Sequence, residues 1–239
     1  MANWPPVFSG VIPLVTPLAD RVLFIDGEAI ILDKPAGLPV DAPRDGSLSL
    51  ENHLGGLTFG FQRWPLPVHR LDRDTSGCLL LARNPKAHKR FAAAFEAGTV
   101  QKRYLALLAG APEESEGTID IPLGKRSTRE AGWRMVPDKK GKAARTHWKR
   151  VAVIGNRALV AFTPETGRTH QIRVHALHGL GHAIVGDPVY GTASEPMLLH
   201  SRFLSVARGD KKPAEATAPL PDSFAAAGVT PEMLEDAAV

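Results

Sequence analysis

The sequence predicts an α+β fold in which β-strands outnumber helices. Short apolar runs of strand length recur along the chain, and two pairs of them are joined by the turn dipeptides Asp26-Gly27 and Gly155-Asn156. Clear helix boundaries occur in only two segments. Hydrophobic residues make up 44% and charged residues 23% of the 239, which is the balance of an ordinary globular protein. A chain of this length can bury a full core as one domain or two small lobes.

The predicted strands form two hairpins and three single segments. The turn dipeptides join residues 22–25 to 29–32 and residues 147–154 to 157–163. The three single strands correspond to the remaining long apolar runs, at residues 77–83, 100–108 and 197–206.

The two predicted helices differ in how well their ends are marked. The first covers residues 86–97, because Asn84 is a favourable N-cap and Pro85 suits the first helical position. The second is predicted to run over residues 168–178 and to be closed by Gly179.

Composition along the chain predicts three parts. Residues 1–20 are proline-rich and indicate an extended N-terminal arm. Residues 21–208 contain all the predicted strands and helices and form the main domain. Residues 209–239 are rich in proline, alanine and charged residues, which predicts a partly ordered C-terminal tail.

Charge and cysteine content limit the kind of protein and its compartment. A net charge of +4 and a pI near 9.3 mildly favour a polyanionic partner such as RNA or DNA. The single cysteine, Cys78, lies in an apolar run, which predicts a buried thiol in a reducing compartment. There is no positively charged signal-peptide start and no apolar stretch of about 20 residues. We therefore expect a cytoplasmic protein without a membrane segment.

The densest polar cluster is H-R-L-D-R-D-T-S-G at residues 69–77. Arginines flank Asp72, and a carboxylate near fixed positive charge stays ionised and can act as a nucleophile or base. The alternative is a solvated turn in which Asp74, Thr75 and Ser76 cap backbone groups. The residues alone favour the turn, and they do not name a reaction.

Two other clusters carry candidate functional side chains. In residues 166–175, Arg168 is predicted to lie in the first turn of the helix, where the helix dipole does not stabilise a cation. A carboxylate or phosphate partner would explain it, and an exposed arginine fits equally well. Tyr104 offers a ring for stacking and a hydroxyl for hydrogen bonding, but a half-buried strand tyrosine is as good an interpretation.

Three histidines raise the possibility of a zinc site. His175, His178 and His182 have a spacing that one helical face could bring together, but Gly179 and Gly181 interrupt the helix before His182. No cysteine or acidic residue close in sequence completes a ligand set. No metal site is predicted, and a zinc-dependent hydrolase remains an alternative function.

Taken together, the clusters resemble the RluA-type family of pseudouridine synthases. The family's H-R-L-D-x-x-T-S-G motif stands at residues 69–77, its K-x-Y-x-A motif at 102–106 and its T-G-R-x-H-Q-I-R-x-H motif at 166–175. Residues 186–191, G-D-P-V-Y-G, and the pair Leu199-His200 are also similar to that family. The likeness follows the family's order and covers about residues 21–208.

The resemblance implies an isomerase that converts uridines of tRNA, rRNA or both to pseudouridine. It implies a mixed, mostly antiparallel sheet in two halves around a central active-site cleft. Asp72 would be the catalytic aspartate, Tyr104 the active-site tyrosine and Arg168 the arginine that pairs with the carboxylate. No cofactor or metal is expected, because the bonds broken and formed are of similar kind. A non-catalytic RNA-binding protein is the second interpretation, although all three catalytic positions are filled.

The expected partner is structured RNA, bound by a monomer that lacks the family's accessory N-terminal RNA-binding domain and needs no protein partner. A uridine within a stem must be flipped out, and the planar guanidinium of Arg70 suits filling the vacated stack. Further candidate RNA contacts are polar or cationic residues of the same motifs, together with one apolar residue: Lys34, His69, Arg73, Thr75, Lys102, Arg103, Ile172 and Arg173.

Overall fold

A computed structural model of the protein describes residues 17–43, 45–128 and 132–235. The predicted N-terminal arm lies outside these ranges, apart from its last residues, which enter the 3-10 turn Leu18–Arg21. A second 3-10 segment spans Leu50–Leu57. None of the helices described in these ranges has the length and apolar character needed to cross a membrane.

The main sheet is mixed, with mostly antiparallel pairing, as predicted. Ten strands follow the order β1-β2-β4-β11-β5-β10-β9-β6, with β3 paired to β4 and β12 to β11. Strands β7 and β8 form a separate two-stranded sheet. The strands are β1 Val22–Ile25, β2 Ala29–Lys34, β3 Leu66–Pro67, β4 Ser76–Ala82, β5 Gln101–Leu108, β6 Glu116–Asp120, β7 Leu123–Thr128, β8 Gly132–Pro137, β9 Arg145–Ile154, β10 Arg157–Pro164, β11 Leu199–Arg208 and β12 Lys211–Thr217.

The described helices are few and lie against this sheet. They are α1 Pro85–Glu96, α2 Gln171–Leu180, α3 Asp222–Ala226 and α4 Glu232–Glu235. The small helical share, beside ten strands in one sheet, confirms the α+β prediction.

Strand β4 shows how the core is built on both faces of the sheet. All seven of its residues are buried, which is why the run reads as continuously apolar rather than alternating. Leu80 packs with Phe91 of α1 on one face, whereas Leu79 and Leu81 join a separate cluster on the other. Cys78 belongs to the first cluster, and burial raises the pKa of its thiol to about 12.

The first helix begins as the sequence predicts. The side chain of Asn84 accepts a hydrogen bond from the amide of Ala87 at 2.9 Å, and Pro85 occupies the first turn. These two features satisfy or remove amide donors that the helix itself leaves unpaired.

The second helix begins three residues later than predicted, at Gln171, and ends at Leu180 with Gly181 as its C-cap. His170 adopts a left-handed backbone conformation, with φ of 55°, and a helix cannot run through it. The Gln171 side chain accepts hydrogen bonds from the Thr166 hydroxyl and the Arg168 amide. Arg168 therefore lies in a loop, and its predicted place in the first helical turn is wrong.

The described part of the predicted C-terminal tail packs with the sheet. Strand β12 pairs with β11 along its length, from Phe203 opposite Thr217 to Arg208 opposite Lys211. Phe224 of α3 is fully buried in a cluster with core residues of β5 and β10.

Candidate active site

A cleft brings the three sequence motifs together, and β11 fixes their spacing. Strand β11 lies between β4 and β5, so Ser201 has Gly77 on one side and Tyr104 on the other. A Cβ atom at Gly77 would lie 2.2 Å from the Ser201 carbonyl oxygen, and the residue has φ of 101°. Only glycine permits this approach, which places the loop that precedes β4 next to Tyr104.

Arg173 is the arginine that pairs with Asp72. Its Nη1 donates to Oδ2 of Asp72 at 3.0 Å, while its Nε and Nη2 donate to the two oxygens of Asp187 at 2.8 and 2.7 Å. The Arg173 side chain is 5% exposed and that of Asp187 is fully buried, whereas the Asp72 side chain is 21% exposed. One guanidinium thus bridges a buried carboxylate and a carboxylate that reaches the cleft.

The electrostatics of the Arg173–Asp187 pair keep both of its members charged. Burial alone would raise the pKa of Asp187, but the hydrogen bonds and charge of Arg173 lower it below its usual range. Backbone amides of Val189 and Tyr190 also donate to Asp187. Burial alone would lower the pKa of Arg173. The hydrogen bonds and charges of Asp187 and Asp72 have the larger effect, so the pKa of the guanidinium is raised. The arrangement is a preorganised positive charge aimed at Asp72.

Arg168 does not take the role that the resemblance implied. It lines the cleft, but its Nε donates to the carbonyl of Ala143 at 3.1 Å, and within the described chain the ion pair of Asp72 is made by Arg173. The physical reason is the late start of α2, since Arg173 lies on the first turn and Arg168 in the preceding loop. The predicted pairing of Arg168 with the carboxylate is corrected to Arg173.

Two predicted RNA contacts are instead internal supports of the loop that carries Asp72. Lys34 is fully buried, and its ammonium donates to the carbonyls of Pro35, Leu38 and Arg73 at 2.8, 2.8 and 3.0 Å. The carbonyl of Arg73 also accepts from the amide of Gly37. Lys34 therefore ties the backbone next to Asp72 to strand β2 and cannot reach a phosphate.

His69 fixes the other end of the same loop. Its Nε2 accepts a hydrogen bond from the amide of Leu80 at 2.9 Å, and its ring stacks on Phe95 with 4.3 Å between centroids. Burial lowers its pKa to about 3, so the ring is neutral at physiological pH. The structure thus corrects its predicted role in substrate binding to one in packing.

Tyr104 lines the cleft beside Asp72. Burial raises its pKa to about 12, against the opposing effect of a hydrogen bond with Ser201. The phenol is therefore un-ionised at neutral pH. Such a group suits stacking and hydrogen-bond donation better than proton abstraction.

Of the remaining predicted RNA contacts, some line the cleft and others interact with residues outside it. Lys102, Thr75 and Ile172 line the cleft, and burial lowers the pKa of Lys102. Arg70 also lines it and forms an exposed ion pair with Asp41 at 2.7 Å. The other two cations are engaged elsewhere: Arg73 pairs with Asp74, and the Arg103 guanidinium lies over the ring of Phe203.

Sequence reasoning did not single out Asp187 or His170 as site residues. Nε2 of His170 lies 3.9 Å from Oδ2 of Asp72, and Nδ1 is 2.9 Å from the Tyr190 hydroxyl. Burial lowers the pKa of His170, so this ring faces Asp72 as a neutral group at physiological pH. Both residues belong to motifs that the resemblance used, but their types alone did not indicate a link to Asp72.

The zinc alternative finds no ligand set in the described ranges, where no group of three or more histidine, cysteine or acidic side chains could hold a metal ion. His175 is engaged otherwise, with its ring nitrogens 2.9 Å from the Thr146 hydroxyl and 3.1 Å from the Ile121 carbonyl.

Comparison with known proteins identifies the family that this fold and cleft define. Residues 28–178 match the model of the RNA pseudouridylate synthase family. An uncharacterized RNA pseudouridine synthase of Zymomonas mobilis subsp. mobilis is 62% identical over 87% of this chain and 96% of the relative. The ribosomal large subunit pseudouridine synthase D of the same organism is 36% identical, over 73% of this chain and 57% of the relative.

Solved structures agree with the sequence comparison. Human RNA Pseudouridylate Synthase Domain Containing 4 superposes with a TM-score of 0.74 at 26% identity, covering 88% of this chain and 92% of that one. Human RNA Pseudouridylate Synthase Domain Containing 1 gives 0.72 at 28% identity, covering 91% and 93%. The chain belongs to the RNA pseudouridylate synthase family, in its RluA-type group. It is an RNA pseudouridine synthase, an isomerase whose substrate is RNA.

Lys34 is expected to couple the stability of the fold to pH. Burial lowers its pKa to about 7 from an ordinary value of 10.5, so between these values the unfolded chain binds more protons than the folded one. The free energy of unfolding of the wild type should therefore rise with pH across this window, relative to that of Lys34→Met. Denaturant unfolding at both ends of the window measures it.

Lys89→Met, which changes an exposed lysine on α1, is the matched control and should show no such trend relative to the wild type. A wild-type advantage over Lys34→Met that stays constant or shrinks with rising pH would contradict the assignment.

Proposed function

We propose that this enzyme isomerises uridines of ribosomal RNA, with Asp72 as its catalytic carboxylate. The observation that supports a catalytic role for Asp72 is its ion pair with Arg173. The Arg173 side chain is buried and also pairs with Asp187, and it lies at a cleft that the three motifs line. Ribosomal RNA is favoured because relatives from two organisms, at 36% and 41% identity, are named ribosomal large subunit pseudouridine synthase D. Transfer RNA is the other outcome of the test below. We expect the enzyme to act as a monomer.

The reaction moves the uracil from one attachment to another without a net change in atoms. The bond between N1 and the sugar breaks, the ring turns and C5 joins the sugar. The proton on C5 then leaves to water, and N1 takes up a proton in its place. Asp72 supplies the carboxylate that can act as nucleophile or base. Arg173 orients that carboxylate and holds its charge in a site that is partly shielded from water.

Tyr104 and Lys102 would hold the base while it turns. The Tyr104 ring is positioned for stacking on uracil, and its hydroxyl remains a hydrogen-bond donor because burial raises its pKa. Lys102 is 6% exposed and lines the same cleft, where no carboxylate of the described residues pairs with it. A buried ammonium without an acidic partner suits a uracil carbonyl or a phosphate of the flipped nucleotide.

The position and exposure of Arg70 support a role in base flipping. It lines the cleft two residues before Asp72, and its side chain is 67% exposed. Its ion pair with Asp41 is a surface contact of the kind that contributes about 0–1 kcal/mol, so RNA could displace it. The freed guanidinium would then fill the stack that the target uridine leaves.

Release of tritium from C5 of uracil tests the reaction and the carboxylate together. Wild-type protein is incubated with separate ribosomal and transfer RNA pools that lack pseudouridine and carry tritium at C5. We expect release from the ribosomal pool, and none above background with Asp72→Ala or the isosteric Asp72→Asn.

Each other outcome has a defined meaning. Release from the transfer RNA pool alone would move the substrate assignment to tRNA and leave Asp72 in place. Release that persists in folded Asp72→Asn would reject Asp72 as the catalytic group. Binding of RNA without any release would favour a non-catalytic RNA-binding protein.

Arg70→Ala tests base flipping. On RNA whose target uridine is paired in a stem, we expect kcat/KM to fall by roughly tenfold, the scale of one lost base-stacking contact. On the same RNA with the pairing partner removed, the loss should be much smaller, because less unstacking is required.

The matched control is Arg63→Ala, which removes another exposed arginine that does not line the cleft. Normal turnover of the paired substrate by Arg70→Ala, or an equal loss on both substrates, would reject the flipping role.

A further inference from the structure

The two-stranded sheet of β7 and β8, which we call the ribbon, lies over the start of α2 without joining the main sheet. Leu123 at the start of β7 is buried in a cluster with Val174 of α2. The ribbon is also attached through Tyr190, whose hydroxyl is 3.0 Å from both the amide and the carbonyl of Met135 on β8. The same hydroxyl contacts His170, which faces Asp72. The ribbon is therefore fixed directly to the residues that surround the catalytic carboxylate.

Trp133 of the ribbon extends an aromatic surface outward from this point. Its ring stacks on His170, with 5.3 Å between centroids and 24° between the planes, and the residue is 49% exposed. Trp133 is thus linked to Asp72 through a single intervening ring. A tryptophan that served only to cover His170 would be expected to bury more of its own apolar surface.

The ribbon also carries positive charge that no described carboxylate neutralises. Arg126 and Arg134 are direct cross-strand partners, and like charges in this position destabilise a pair of strands. Neither forms an ion pair with an acidic residue of the described chain. The ammonium of Lys125 lies 5.2 Å from the Trp133 ring centroid. An anionic partner bound between Arg126 and Arg134 would relieve the repulsion between the two guanidinium groups.

We infer that the ribbon is an RNA-binding arm in which Trp133 stacks on a base close to the target uridine and Arg126 and Arg134 bind the adjoining phosphates. An exposed aromatic ring beside unneutralised cations is the combination that proteins use to bind unstacked nucleotides. The inference rests on the proposed function and adds a contact that would help to choose the target. Its position, one ring away from Asp72, limits the recognised base to the neighbourhood of the flipped nucleotide.

Trp133→Ala, Trp133→Phe and Trp64→Ala separate stacking from folding. Trp64 is 61% exposed and does not line the cleft, so its variant is a matched control. We expect Trp133→Ala to raise KM for tritium release by on the order of 10- to 100-fold, with kcat within a few-fold of wild type. Trp133→Phe should recover most of the affinity, and Trp64→Ala should behave as wild type.

The readouts also tell the two proposals apart. If the wild type releases no tritium from either pool, the proposed function fails. If the wild type is active and Trp133→Ala keeps a normal KM, the stacking contact is rejected. A fall in kcat with unchanged KM would also overturn it, since that pattern indicates a ring that merely holds His170 in place.

The phosphate contacts have their own test in the salt dependence of RNA binding. Arg126→Ala and Arg134→Ala should each lower the slope of log Kd against log salt concentration by roughly 0.7 to 0.9, the share of one phosphate contact. Lys89→Ala, on α1, is the control and should leave the slope unchanged. Wild-type slopes in both arginine variants would reject the arm as a phosphate-binding surface.

Discussion

The candidate active site depends on one guanidinium, that of Arg173, which two carboxylates share. Arg173 is almost fully buried, and the cost of burying its charge is offset by a bidentate contact with Asp187 and a single contact with Asp72. Asp187 is in turn held by two backbone amides. Because Asp187 holds Arg173 through two hydrogen bonds, the position that Arg173 offers to Asp72 is set before substrate arrives, as electrostatic preorganisation requires.

Three other residues of the site, Gly77, Lys34 and His69, hold the loop that carries Asp72 in that position. The glycine at 77 lets β4 lie against the backbone of β11, and this contact sets the distance from the loop to Tyr104. Lys34 and His69 hold the loop from inside through backbone groups. These two side chains satisfy backbone donors or acceptors, so removing either one would leave a backbone group unpaired as well as loosen the loop.

Local signals in the sequence predicted the hairpins, the first helix and the buried thiol, because turn dipeptides, the Asn84 cap and apolar runs act over a few residues. The motifs also indicated that Asp72 and Tyr104 belong to one site.

The prediction that Arg168 pairs with the carboxylate was wrong because the start of the helix depends on the left-handed backbone of His170. A left-handed conformation at a residue other than glycine cannot be predicted from the sequence. Lys34 and His69 look like surface residues in sequence, since their partners are carbonyls and amides that any residue carries. Strand β12 escaped prediction because its lysines, proline and glutamate hide the one fully buried residue of the strand, Ala214, which packs into the same core cluster as Leu80 and Leu204.

Single-turnover tritium release by Arg173→Lys and Arg168→Lys would test most directly whether Arg173 holds Asp72, the proposed catalytic carboxylate. A lysine at 173 keeps a positive charge but cannot bridge two carboxylates with a planar fork. Its rate should fall by roughly 100-fold, the scale of one lost preorganised contact, while Arg168→Lys stays within a few-fold of the wild type, with both variants shown to be folded by circular dichroism. A near-normal rate in Arg173→Lys together with a large loss in Arg168→Lys would contradict the assignment and return the pairing role to Arg168.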